Sequence, residues 1–127
     1  MPPKIGPLHE IILYVSNMIG QVSFYRDTLG LEVAYPPDLG DGSEAFWVVF
    51  NTGPCSLALH GGGEKRIGED APKIVFKVDE IEAVREYLIS QGVPMSEIIE
   101  PAPGIQVSNG RDPEGNAFSI ESVSTSF

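Results

Sequence analysis

Three side chains of this sequence, Glu10, His60 and Glu121, are of types that together could hold a metal ion. Strand parity places them. In Cys55 to His60 (CSLALH) and Ala117 to Ser122 (AFSIES), Leu57, Leu59, Phe118 and Ile120 are apolar, as a face packed under helices requires. The opposite face then carries Ala58 with His60 and Ser119 with Glu121, each pair about 6.8 Å apart along its strand. One imidazole and two carboxylates suit a divalent transition ion (zinc, iron, manganese or nickel) with open coordination positions. Such an ion acts as a Lewis acid on a developing oxyanion. Glu10 or Glu121 could leave it to serve as a base, which makes these two the candidate catalytic residues. Lys73 argues the other way: a positive charge beside a metal is unfavourable, and its ammonium could pair with Glu10 and replace the ion. Tyr14, Trp47, Lys73 and Ser119 are the candidate pocket residues. Aromatics such as Phe46, Trp47 and Phe50 are more often core, but Tyr14 shares the Glu10 face. His9 has the opposite parity and reads as structural, and Cys55, at a strand start, reads as inert.

The elements that must position these residues occur twice. Leu8 to Leu31 opens with alternating Ile11, Leu13 and Val15, then changes period at Asn17. Met18, Val22, Tyr25 and Leu29 recur at helical steps. Ser16 or Asn17 offers an N-cap, and Gly30 stands where a left-handed C-terminal residue is wanted. Lys73 to Val93 repeats the plan, with Ile74, Phe76 and Val78, an Asp79 cap, Ile81, Val84, Tyr87 and Leu88, and a closing Gly92. By parity Glu10 falls on Lys73 and Leu13 on Phe76, and the repeat also relates His60 to Glu121. Strand segments follow each helix: Leu31 to Ala34, Ala45 to Phe50 and Cys55 to His60 in the first copy. The second has a short strand at Met95 to Ile99, then Ile105 to Ser108 and Ala117 to Ser122. This predicts an α+β fold of two tandem βαβββ modules, about 8–60 and 73–122, in a single domain spanning 1–127.

Composition narrows the function. Eighteen acidic against eight basic residues give a net charge of −10. That surface repels phosphate backbones and predicts neither nucleic-acid nor anionic-membrane binding. A lone Cys55 cannot form an intrachain disulfide and fits a reducing compartment, so a cytoplasmic protein is expected. The prolines of Met1 to Pro7 form a lead-in without an apolar signal region. Gly61 to Ala71 reads as a polar connection without P-loop spacing, in which Lys65 and Arg66 could help hold an anionic substrate. Val123 to Phe127 reads as a frayed tail.

Phe24-Tyr25 followed by Leu29-Gly30-Leu31, and Asp112-Pro-Glu-Gly-Asn116 before a final strand, carry a resemblance to the vicinal oxygen chelate superfamily. That superfamily includes glyoxalase I, extradiol dioxygenases, fosfomycin-modifying enzymes and bleomycin-resistance proteins. The likeness covers nearly the whole chain. It implies curved sheets with helices on their outer faces, a concave ligand face, a small-molecule substrate or ligand, and a homodimer. It also implies metal ligands on the first and last strand of each module, which by position are Glu10, Ala58, Lys73 and Ser119 here. Only Glu10 among them binds a metal comfortably, so the usual site is not present as such. Two functions follow as expectations. One is a metal-dependent enzyme of the glyoxalase/dioxygenase type (lyase, isomerase or dioxygenase) that chelates adjacent substrate oxygens through Glu10, His60 and Glu121. The alternative is a metal-free drug- or metabolite-binding protein of the bleomycin-resistance type, favoured by Lys73.

Overall fold

The computed structural model describes residues 9–62 and 73–124. The chain divides into two compact units, Met1–Lys65 and Arg66–Phe127. The expected α+β architecture of two βαβββ modules is present. The first unit runs β1 (Glu10–Val15), α1 (Met18–Val22, continued by a wider helical segment Ser23–Thr28), β2 (Glu32–Tyr35), β3 (Trp47–Asn51) and β4 (Ser56–Gly61). The second runs β5 (Ile74–Lys77), α2 (Ile81–Ser90), β6 (Ile99–Ala102), β7 (Ile105–Arg111) and β8 (Ala117–Val123). Each unit holds one four-stranded sheet, ordered β1-β4-β3-β2 and β5-β8-β7-β6. First and last strands pair in parallel, and the remaining neighbours pair antiparallel. Parallel neighbours need a crossover, and the helix of each unit supplies part of it. The lead-in 1–7, the connection with Lys65 and Arg66, and the end of the tail lie outside the described residues.

Both helices start and stop for reasons visible in their residues. Asn17 caps α1, its side chain accepting from Gly20 N at 3.0 Å. Past Val22 the helix widens: Leu29 N reaches the Phe24 carbonyl five residues back, at 2.9 Å. Gly30, at φ 75°, then turns the chain so that Leu31 N closes on the Tyr25 carbonyl at 3.0 Å. In the second unit Gly92 takes φ 85°, Val93 N bonds the Leu88 carbonyl and Gly92 N bonds that of Ile89, a Schellman closure. The start of α2 differs from expectation: its N-cap is Glu80, without a side-chain cap bond, and not Asp79.

Strand positions hold with one displacement. Met95 makes only an isolated bridge to Gly110, and the strand comes later, at Ile99–Ala102. It contains Pro101, tolerable because β6 is an edge strand and a proline there forgoes no interior ladder bond.

In the first unit the buried apolar residues are Val15, Val22, Phe24, Tyr25, Val48, Phe50, Leu57, Ala58 and Leu59; in the second they include Ile74, Ile81, Leu88, Phe118 and Ile120. Apart from Ala58, which is buried on the other parity, these are strand residues of apolar parity joined by residues of the helices. Each such side chain contributes about 1.5–3 kcal/mol on burial. Asp112, 5% exposed, holds the β7–β8 turn: its carboxylate accepts from Glu114 N and Asn116 N, both at 2.9 Å, and from Asn116 Nδ2 at 2.7 Å.

The loop between β2 and β3 offers a test of this packing. Gly42 has φ 89°, and a Cβ there would lie 2.9 Å from Cγ2 of buried Val22. Gly40 has φ 63° with nothing within 4 Å. Gly40→Ala should cost only the left-handed conformation, about 1–2 kcal/mol. Gly42→Ala should cost more, because Val22 cannot move without disturbing the core. Thermal unfolding of the two variants checks this, and equal losses would count against the tight approach of this loop.

Candidate functional site

The register of β1 on β4 arranges the polar face of the first unit in rows. Tyr14 sits opposite His60, Ile12 opposite Ala58, and Glu10 opposite Ser56. On the other side of β4, Trp47 sits opposite His60 and Val49 opposite Ala58. His60 therefore stands between Tyr14 and Trp47, with ring centroids 5.2 and 5.7 Å away. Phe46, one residue before β3, adds a third ring edge-on to the imidazole at 5.0 Å. Such tilted and edge-to-face pairs suit the quadrupoles of the rings. Nδ1 of His60 lies 2.7 Å from the Gly61 carbonyl oxygen. A carbonyl only accepts, so Nδ1 donates, and Nε2 is the acceptor of the neutral ring.

Phe46 owes its place to glycine. A Cβ on Gly61 would meet its ring at 3.3 Å, and one on Gly62 would meet it at 3.1 Å. Gly61 N also donates to the Phe46 carbonyl at 2.9 Å. The glycine pair after His60 is thus the seat of an aromatic side chain. Expected as core, Phe46 is instead 62% exposed, and Tyr14 is 44% exposed, while Phe50 is fully buried as expected. Beside the cluster lies a groove of about 480 Å³, lined by Tyr35, Phe46, Trp47, Asp38 and Glu44 among others. The loop carrying the two acids is anchored where Arg26 Nη1 donates to the Gly40 carbonyl. Within it a hydrogen bond from Ser43 holds the exposed Asp41 carboxyl below its ordinary range.

The remaining candidates distribute as follows. Glu10 is not brought to His60: four residues of strand separate Glu10 from Tyr14, the neighbour of His60, about 13 Å at the parallel-strand rise. One ion bonds its carboxylate and imidazole donors at about 2.0–2.2 Å. Glu10 and His60 therefore do not form a common ligand pair in this register. Glu121 belongs to the second unit, opposite Lys77, in the place that His60 and Tyr14 occupy in the first. Ala58, at a position where the resemblance implies a ligand, is buried and has no donor atom. Among the described residues no three His, Cys, Asp or Glu side chains are grouped so as to hold a metal ion. Within the first unit, Glu10 and His60 do not supply the ligand pair expected from sequence.

Lys73 Nζ donates to Asn109 Oδ1 at 3.1 Å within its own unit. Ser119, opposite Val75 and Asn109, is buried, and among the described residues its Oγ has no hydrogen-bond partner. His9, expected to be structural, is exposed, although its backbone carbonyl accepts from Ser56 N at 2.9 Å. Cys55 is half-buried, with Sγ 3.6 Å from the Ser56 carbonyl oxygen. Sequence reasoning missed Phe46 and Tyr35 as exposed groove residues. The signal for Phe46 was present in Gly61-Gly62, two positions without side chains at the end of the strand that faces it.

Two sheets, each closed by a parallel first–last strand pair and carrying a ligand-sized groove, define a class: paired βαβββ proteins of small-molecule chemistry. The chain belongs to the Glyoxalase/Bleomycin resistance protein/Dioxygenase superfamily, whose family model matches residues 7–120. Members of that superfamily bind small molecules. A glyoxalase family protein from Enterococcus faecalis shares 20% identity and a TM-score of 0.73, covering 91% of this chain and 96% of its own. A lactoylglutathione lyase from Agrobacterium tumefaciens shares 20% identity and a TM-score of 0.72, covering 96% of each chain. An antibiotic binding protein from a Streptomyces species shares 18% identity and a TM-score of 0.71, covering 97% of this chain and all of its own (100%). At such identities the likeness is one of fold. No curated protein matches the sequence. Among the described residues no helix is long and apolar enough to cross a membrane.

Two buried serines allow a paired test. Ser108 Oγ donates to the Ser96 carbonyl at 2.7 Å, whereas Ser119 Oγ has no partner among the described residues. Ser108→Ala should cost about 0.5–1.5 kcal/mol by removing one of the two bonds that this carbonyl accepts, the other coming from Arg85 Nε at 2.7 Å, while Ser119→Ala should be neutral or stabilising by about 1 kcal/mol. Denaturant unfolding of both variants decides it; a Ser119→Ala loss as large as that of Ser108→Ala would show that the Ser119 hydroxyl is engaged.

Proposed function

We propose that this superfamily member is a small-molecule binding protein that recognises its ligand without a metal ion, at the aromatic cluster Tyr14, Phe46, Trp47 and His60. The observation that carries the reading is the set of three rings around His60, two of them widely exposed, beside a groove of ligand size. Exposed aromatic surface held in place by glycines and strand register costs little ordering on binding, and it favours a flat, unsaturated ligand. Asp38 and Glu44 at the groove favour a cationic group on that ligand. Neighbourhood in fold to an antibiotic binding protein supports the same direction.

Trp47 is the sole tryptophan, so its fluorescence reports on this site alone. Proflavine, flat and cationic, should quench it saturably in protein prepared without a polyhistidine tag and stripped of metal. Fluorescein, flat and anionic, should quench it less. Phe46→Ala and His60→Ala should each weaken proflavine about tenfold, close to 1.4 kcal/mol, with the fold intact. Absence of quenching, or equal quenching in both variants, would overturn the reading.

The other reading is a metal-dependent enzyme with Glu10, His60 and Glu121 as ligands of zinc, iron, manganese or nickel. It has the lactoylglutathione lyase among the fold neighbours in its favour and the β1–β4 register against it. On the proposed reading none of the four ions raises the melting temperature of the stripped protein. A stoichiometric ion lost on His60→Ala would restore the metal reading. We also propose a cytoplasmic homodimer, since edge strands β2 and β6 present exposed Tyr35 and Ile99 for a partner to cover; a monomer by light scattering at micromolar concentration would contradict it.

A further inference from the structure

The second unit carries a cavity of about 600 Å³ whose chemistry is opposite to that of the first. Its lining includes the polar Lys73, Asn109 and Arg111 and the apolar Pro94, Met95 and Phe118. The sheet register explains the grouping. Ile74 pairs with Phe118, so Lys73, one residue earlier, falls opposite Ala117, and Arg111 pairs with Ala117 from the other side. Lys73 and Arg111 thus stand two strand spacings apart, about 10 Å between Cα atoms, with only a methyl group between them. That leaves a notch flanked by two cations.

Neither cation is neutralised by a carboxylate among the described residues. Lys73 Nζ is held by the amide oxygen of Asn109, and Arg111 Nη1 donates to the Gly115 carbonyl at 2.8 Å. No acidic side chain is among the described residues lining the cavity. The nearest acid in sequence, Asp112, spends its carboxylate on Glu114 N and on Asn116. Two of only eight basic residues in a chain of net charge −10 therefore meet at one cavity with ligating capacity to spare. The internal repeat supplies a control. The place of Lys73 and Ala117 is taken in the first unit by Glu10 and Ser56, so the shared fold does not require cations there.

We infer that this cavity is a binding site for a small organic anion, a carboxylate or phosphate group seated between Lys73 and Arg111 with an apolar body against Met95 and Pro94. Arg111 offers the planar fork that carboxylates and phosphates accept, and Lys73 the compact charge. The inference does not rest on the function proposed for the aromatic cluster of the first unit.

The experiment uses the whole chain labelled for amide NMR and four probes: benzoate, hexanoate and phenyl phosphate, with benzamide as the neutral control. The three anions should shift the amides of Gly110, Arg111 and Ala117 saturably at concentrations up to about 10 mM, and benzamide should not. The His60 and Trp47 amides should stay in place. Lys73→Met and Arg111→Met should each weaken benzoate about fivefold, as expected for one charge-assisted bond. Ala117→Leu should abolish binding by filling the notch with both charges kept, and raised salt should weaken binding throughout. The inference is overturned if benzamide binds as well as benzoate, if the shifts fall around His60, if no probe shifts Gly110 or Ala117, or if the Met and Leu variants bind as the parent does.

Discussion

The register of the parallel strand pair that closes each unit is the constraint on which the rest depends. Hydrogen bonding of β1 to β4 puts Tyr14 beside His60, and the antiparallel neighbour β3 then has no choice but to bring Trp47 to the other side. A slip of one residue would turn Leu57 and Leu59 out of the core, so the apolar face enforces the register and the polar face inherits it. Everything asked of His60 follows from its row. Its companions are aromatic because the row is aromatic, and Glu10 is excluded from its company because it stands two rows away, with the Ile12–Ala58 row between.

The second unit obeys the same rule with different residues. Lys77 lies opposite Glu121 where Tyr14 lies opposite His60, and the cationic notch stands where the first unit has Glu10 and Ser56. Divergence on this scale costs the fold little, because the core uses the other parity. Val48, Phe50, Leu57 and Leu59 in one unit, and Ile74, Phe118 and Ile120 in the other, hold the sheets whatever the polar faces carry. The sequence motifs that mark the superfamily turn out to be structural. Gly30 closes the first helix, and Asp112 through Asn116 fasten the β7–β8 turn through a buried carboxylate. Such features preserve a scaffold and leave its chemistry open.

Ligand recognition and fold meet at glycine. Phe46 lies over Gly61 and Gly62 because neither carries a Cβ, and the ring in turn covers one edge of His60. An aromatic fixed in this way presents apolar surface to solvent without first having to be ordered by the ligand.

Local patterning is enough for the two modules, the strand and helix types, the helix closures at Gly30 and Gly92, and the division of each strand into an apolar and a polar face. These are local: they depend on periodicities of two and 3.6 and on residues with special backbone freedom. The repeat also gives the equivalence of His60 with Glu121, since a repeat preserves position. Tertiary structure alone decided which polar residues meet. Parity says that Glu10 and His60 share a face; only the β1–β4 register says that they occupy rows about 13 Å apart. Similarly, Lys73 reaches Asn109 across β8, a contact that only the strand order β5-β8-β7 makes possible, and Phe46 escapes the core because a glycine pair faces it across β3 and β4. Pairing between strands distant in sequence carries no local signature in either strand, and for that reason the faces were legible from the residues while the site was not.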